Sequence, residues 1–193
     1  MLELALHVLD ILQNTVEAGA SHVDLAIVED EPADRLTIMA KDDGRGMDEK
    51  TVHRVLDPFY TTRITRHVGL GLPLYAAAAE TAGGRLTIRS KPGEGTTVEA
   101  TFQLSHPDRQ PLGDIAGTLV AFLLAERAPE LHYRHQVIPG RRGQVSSPGT
   151  RKEREFTFDT AAVRAELAGV PLHQPLVARW LAEFLAEGES CLR

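Results

Sequence analysis

Residues 22–27 alternate strictly. Val23, Leu25 and Ile27 are apolar, and His22, Asp24 and Ala26 fall between them. A period of two is the mark of a strand with one buried face, and no helix can present it that way. The flanking segments set this strand in context. Leu2, Leu6, Leu9 and Val16 recur at helical spacing before it, up to Gly19. A second strand is expected over residues 35–40, reached through a hairpin loop at residues 31–34. Asp48 is placed to cap a short helix. Residues 72–82 read as a helix closed by Gly83 and Gly84. Residues 85–90 and 96–104 read as strands joined by a Pro-Gly turn. The first 105 residues are therefore an interleaving of helices and strands.

The composition shifts after Ser105, and residues 106–111 read as a linker. Beyond it the pattern predicts a helix with Leu112, Ile115, Leu119 and Leu123 on one face, then strands over residues 131–138 and 154–158. Residues 139–150 are rich in Gly, Ser and Pro and read as an exposed loop. Asp159 is placed to cap a helix stopping at Gly169. A last helix is expected from Pro175 to a stop at Gly188, with Leu176, Val177, Trp180, Leu181, Phe184 and Leu185 forming its buried stripe and Trp180 shielded from water. The expected division is an ordered unit over residues 1–105 and a small α+β extension over residues 106–193.

Charge and cysteine content narrow the function classes. The net charge of −6 gives no general affinity for nucleic acid or an anionic membrane. The single cysteine, Cys191, cannot form an internal disulfide, which suits a reducing compartment. No stretch approaches the roughly 20 apolar residues that span a bilayer, and the start of the chain lacks the basic region of a signal peptide. A cytoplasmic location is expected.

Four segments carry candidate chemistry. In the first, Asp10 and Asn14 are one helical turn apart and share a face. A carboxylate beside an amide oxygen suits Mg²⁺, and the carboxylate could also orient a water. Alternatively the pair is only the polar face of an amphipathic helix. In the second, Asp42-Asp43-Gly44-Arg45-Gly46-Met47 follows a strand. An ionised carboxylate there can accept from an adenine amine, with glycines allowing close approach of a flat ring, although Asp and Gly also make plain turns. In the third, Asp57-Pro58-Phe59-Tyr60-Thr61-Thr62-Arg63 can offer the Thr62 hydroxyl and Arg63 guanidinium to phosphate, or be an ordinary surface loop. In the fourth, Gly69-Leu70-Gly71-Leu72 opens a helix, whose N-terminal amides bind phosphate. It is neither a complete dinucleotide fingerprint nor a P-loop.

Together and in this order, the four resemble the N, G1, F and G2 boxes of the GHKL superfamily of ATPases. The first box is most similar to MutL. The third and fourth, with Ala82-Gly83-Gly84-Arg85-Leu86 and Gly93-Glu94-Gly95-Thr96-Thr97, are most similar to histidine kinases. The resemblance covers about residues 1–105. It implies a two-layer α/β sandwich of the Bergerat type: a mixed, mostly antiparallel sheet with helices on one face. It also implies ATP and Mg²⁺ as ligands. Asn14 would hold Mg²⁺, Asp42 would read adenine, Gly44 and Gly46 would border the base, Thr96 would support it, and Gly69 and Gly71 would face the phosphates. Asp10 would be the candidate base. It stands where hydrolysing members often carry Glu, one methylene longer.

Other departures shape the expected function. The first box usually follows an edge strand, which here is missing or replaced. The lid over residues 61–68 is short. The phospho-accepting histidine of a kinase has no place before the first box, and His7, one turn before Asp10, reads as a packed or solvated helix residue. His132 and His135 fall on opposite faces of a strand, which argues against a shared metal. The basic stretch from Arg141 to Arg154 reads as a solvated loop, with docking to an acidic partner or RNA as the other reading. The whole chain is also similar to short stand-alone kinase-like ATP-binding proteins, some of which accompany NAD-linked iron hydrogenase subunits. The expectation is a regulatory ATP-binding protein that phosphorylates a separate protein or hydrolyses ATP slowly. A non-catalytic ATP sensor that docks to a partner is the alternative.

Overall fold

The computed structural model describes residues 3–56, 71–125, 127–140 and 152–193. The helices are α1 (Leu4–Glu17), α2 (Glu49–Arg54), α3 (Gly71–Thr81), α4 (Ile115–Leu123), α5 (Thr160–Glu166) and α6 (Pro175–Ser190). The strands are β1 (His22–Asp30), β2 (Arg35–Asp42), β3 (Arg85–Lys91), β4 (Gly95–Gln103), β5 (Glu130–Ile138) and β6 (Arg154–Asp159). They form one mixed sheet in the order β3-β4-β2-β1-β5-β6. Every neighbouring pair is antiparallel except β1–β5, which runs parallel.

The alternation in β1 decides which side of the sheet is covered. Val23, Leu25 and Ile27 are buried, as are Leu36, Ile38 and Ala40 of β2, Val98, Ala100 and Phe102 of β4, and Leu131 and Tyr133 of β5. Against this face pack Leu4, Val8, Ile11 and Leu12 of α1, Tyr75 and Ala79 of α3, and Leu119 and Phe122 of α4. The other face exposes polar side chains such as Lys41, Arg89 and Arg134. The protein is a two-layer α/β sandwich, with helices burying one face of the sheet.

The segment after residue 106 enters this same sheet and core. β5 lies along the edge of β1 opposite β2, with His22 beside Glu130 and Asp30 beside Ile138. That edge of β1 is thus paired by a strand made much later in the chain. The linker also holds α1. That helix has no side-chain cap at Glu3, and its first amides donate to Pro111 O at 3.0 Å and Leu112 O at 2.8 Å, which satisfies donors that a helix start leaves open. α4 buries Ala116, Thr118 and Phe122 as well as the expected Ile115, Leu119 and Leu123. It packs between α1 and α6 and is apolar nearly all round, as befits a helix with neighbours on several sides.

The expected caps form where the sequence placed them. Asp48 accepts from Thr51 N at 2.7 Å, and Asp159 from Ala161 N at 2.8 Å. The last helix departs from expectation twice. It buries Val177, Leu181 and Leu185, while Leu176, Trp180 and Phe184 are 73%, 41% and 38% exposed, so Trp180 is not shielded from water. The helix also runs through Gly188 to Ser190. A Cβ at Gly188 would collide with the Phe156 ring, so this glycine serves close packing rather than termination.

One polar cluster fastens α6 to the sheet. Glu189 accepts from the Tyr133 hydroxyl at 2.6 Å and lies 3.0 Å from Nδ1 of His135, whose Nε2 is 3.2 Å from Glu29. His135 is buried and its pKa is up to about 9. Burial alone would push the imidazole the other way, and the two carboxylates outweigh it. His132 points to the opposite, exposed face.

Candidate functional site

The site is assembled where α1, the loop after β2 and the start of α3 meet. Asp42 ends β2 opposite Thr96 of β4. The residue is 8% exposed, and its carboxyl accepts from Gly44 N at 2.9 Å. Burial pushes its pKa up, and the amides of Gly44 and Thr96 pull the other way. A buried carboxylate with few internal partners is a strong acceptor for a donor arriving from outside.

The loop around it is fixed by backbone contacts rather than bulk. Arg45 N donates to Ala18 O at 3.0 Å, and the Arg45 guanidinium to Glu17 O at 3.1 Å, which ties the loop to the end of α1. A Cβ at Gly44 would press on Ala18 Cβ at 2.8 Å and on the Asp42 carboxylate at 2.9 Å. Gly46 has φ +64°, and a Cβ there would run into Lys91 O. Both positions therefore require glycine.

Two supporting residues were not singled out from the sequence. Asp43 accepts from Ser21 N at 2.7 Å, His22 N at 2.9 Å and Ser21 Oγ at 2.5 Å, and these bonds hold its pKa down to about 2. It pins the loop to the start of β1. Ser90 Oγ accepts from Met47 N at 2.8 Å, donates to Gly95 O at 2.9 Å and lies 2.9 Å from Thr96 Oγ1. It joins the loop to the β3–β4 hairpin. The signal for Ser90 was available, because hairpin pairing sets it opposite Thr96. Asp43 carries no such signal, because its partners are backbone amides at the start of β1 that only the fold brings to it.

Asp10 and Asn14 are partly buried on α1. The Asp10 carboxylate lies against the first residue of α3, where a Cβ at Gly71 would collide with it. A carboxylate at a helix N-terminus is favourably placed in the field of the helix. The structure thus brings Asp10 and Gly71 together, which the sequence treated in separate motifs. Thr62, Arg63 and Gly69, with the rest of residues 57–70, lie outside the described residues. Among the described residues, no group of three or more His, Cys, Asp or Glu side chains could hold a metal ion. An oxygen pair such as Asp10 and Asn14 is a smaller set, of the kind Mg²⁺ uses while keeping its waters.

Residues 2–106 match the family described as histidine kinase-, DNA gyrase B-, and HSP90-like ATPase. Sporulation kinase A of Bacillus subtilis is 33% identical over 96 residues, 49% of this chain and 15% of that protein. The sensor histidine kinase WalK of the same organism is 35% identical over 104 residues, 51% of this chain and 16% of WalK. The sensor protein kinase FleS of Pseudomonas aeruginosa is 38% identical over 89 residues, 46% of this chain and 22% of FleS. The chain therefore spans less than a quarter of each of these kinases. Among solved structures, the crystal structure of the N-terminal domain of a DNA repair protein superposes with a TM-score of 0.53 at 14% identity. That superposition covers 79% of this chain and 54% of the other, and it is a likeness of fold.

Proposed function

This chain belongs to the histidine kinase-, DNA gyrase B-, and HSP90-like ATPase family, and from that premise we propose that it is a regulatory protein binding ATP with Mg²⁺. In this reading residues 1–105 are the nucleotide-binding unit, and residues 106–193 are the extension that completes its sheet. The observation that carries it is Asp42: a buried carboxylate beside Gly44 and Gly46, in a loop held from three sides. Asp42 accepts the adenine amine, Gly44 and Gly46 border the ring, and Thr96 supports the contact. Asn14 holds Mg²⁺, whose charge offsets that of the phosphates. Gly69, Gly71, Thr62 and Arg63 face the phosphates.

Asp10 is the candidate base. The reaction is phosphoryl transfer to a separate protein, or slow hydrolysis. Partner and acceptor are then outside this chain, an NAD-linked hydrogenase subunit being one candidate, and the setting is the cytoplasm. Among the described residues no helix is long and apolar enough to cross a membrane. The alternative is a non-catalytic module that senses ATP and docks to a partner. The contact of Asp10 with Gly71 favours it, because the carboxylate is then engaged in placing α3.

The test is a titration with fluorescent ATP with and without Mg²⁺, in the wild type and Asn14→Ala. Wild-type affinity falls on chelation, and the variant responds little. A variant with the wild-type Mg²⁺ response places the metal elsewhere. Phosphate release and labelling of co-purifying proteins then separate catalysis from sensing.

A further inference from the structure

A hydroxyl has one hydrogen to give and two lone pairs to receive with, so a serine with three close polar neighbours has nothing left to choose. Ser90 of β3 is such a residue. Its Oγ lies 2.8 Å from Met47 N, 2.9 Å from Gly95 O and 2.9 Å from Thr96 Oγ1. An amide N–H only donates and a carbonyl only accepts. Met47 N–H therefore takes one lone pair, and the Ser90 hydrogen goes to Gly95 O. The contact with Thr96 then needs a hydrogen from Thr96. Were Ser90 to donate to Thr96 instead, its oxygen would face that of Gly95 at 2.9 Å with no hydrogen between them. A single arrangement puts a hydrogen in every contact: Thr96 donates to Ser90, and Ser90 donates to Gly95 O.

The direction matters because of where Thr96 lies. It pairs with Ser90 on one side and with Asp42 on the other, and side chains directly opposite on neighbouring strands share a face. With its hydrogen spent on Ser90, the Thr96 hydroxyl offers lone pairs alone. The ionised Asp42 carboxylate is also an acceptor without a donor. The amides of Gly44 and Thr96 already donate to it from within the chain. The two side chains thus present acceptors, and no donor, to whatever meets them.

We propose that Ser90 is a positioning residue for base selectivity. By taking the Thr96 hydrogen, it makes the Asp42–Thr96 pair read an exocyclic amine and reject a carbonyl oxygen at the same place. The inference rests on the reading of Asp42 as the adenine acceptor. The hydrogens of the amine are met by acceptors. A base with a carbonyl there brings one more acceptor, which the pair leaves unsatisfied. Ser90 is saturated by its three neighbours and acts through Thr96.

The test compares ATP with inosine triphosphate, which carries a carbonyl where ATP carries the amine. Each is titrated into the full chain in competition with a fluorescent ATP analogue, so affinity is read rather than turnover. The wild type favours ATP by about tenfold to a hundredfold. Ser90→Ala frees the Thr96 hydroxyl to turn and donate, which narrows that ratio by about threefold to tenfold. Thr96→Val removes the hydroxyl; it weakens ATP by about threefold to tenfold and leaves inosine triphosphate within about twofold. In the Thr96→Val background, Ser90→Ala no longer changes the ratio. A purely structural role for Ser90 would move both nucleotides together, so an unchanged ratio in Ser90→Ala overturns the proposal. If Ser90→Ala does not fold, Thr96→Val still decides: inosine triphosphate weakened as much as ATP means that the hydroxyl donates, and the proposal falls. Asp42→Ala separates the two levels. If it binds ATP like the wild type, the adenine reading fails and takes the proposal with it. If it binds ATP weakly while the Ser90→Ala ratio is unchanged, the proposal alone fails.

Discussion

Asp42 shows how function is set against stability at a single residue. Burial disfavours charge on its carboxyl, so its folded pKa lies above the unfolded one. For an acid shifted in that direction, stability is greatest below the unfolded pKa and is lost as pH rises through the folded one. Asp42→Asn, which removes the charge and keeps the shape, should therefore raise the melting temperature at neutral pH. It should also weaken ATP binding by about tenfold to a hundredfold, through loss of a charged acceptor. Thermal melts and ATP titration check both. Equal affinity would move adenine elsewhere, and a lower melting temperature would mean that the charge is well compensated. Asp10 gives the other residue-scale test. Asp10→Asn leaves ATP binding intact, and as general base its loss slows single-turnover hydrolysis by about 10²–10⁴. A rate within a few-fold of wild type assigns Asp10 to the placement of α3. The inward aspartate of the pair was legible because the family pattern names its position. The Asp43 and Ser90 contacts were not, since they depend on which backbone groups the fold leaves open.

At the scale of elements, the caps, hairpins and strand alternation were legible because each depends on residues close together in sequence. Helix α6 departs from the expected stripe because helical periodicity gives a stripe but not its width. Only the tertiary partner decides that Leu181 is buried and Trp180 is not. Gly188 departs for a similar reason, because a packing glycine and a stop glycine read alike. Gly188→Ala should destabilise the protein by about 1–3 kcal/mol, through collision with Phe156. Unfolding in urea measures it, and a neutral effect would mean that Phe156 moves aside freely. The cluster that fastens this helix gives a pH signature. The His135 pKa is raised from 6.5 to about 9, so its contribution is complete below 6.5 and is lost as pH rises through 9. Glu189→Gln should flatten the fall in melting temperature over that window. An unchanged slope would mean that the imidazolium is not what holds α6.

Across the whole molecule, local patterns give way to connections between distant segments. The family match ends at residue 106, yet the sheet continues beyond it. Nothing in the β5 sequence states which edge it will join, since many registers bury the same alternate residues. Residues 1–105 alone should therefore self-associate, because β1 would expose an unpaired edge and α1 would lose the carbonyls of Pro111 and Leu112. Light scattering after size exclusion checks this, and a folded monomer of that fragment would show that its edge tolerates water. The parallel β1–β5 pairing has one more consequence, in time rather than space. His22 meets Glu130, more than a hundred residues further along the chain. At about 5–20 residues per second, a ribosome needs roughly 5–20 s to make the strand that covers the edge of β1. During that interval β1 is an edge strand with one row of backbone groups open, a template on which another chain can pair.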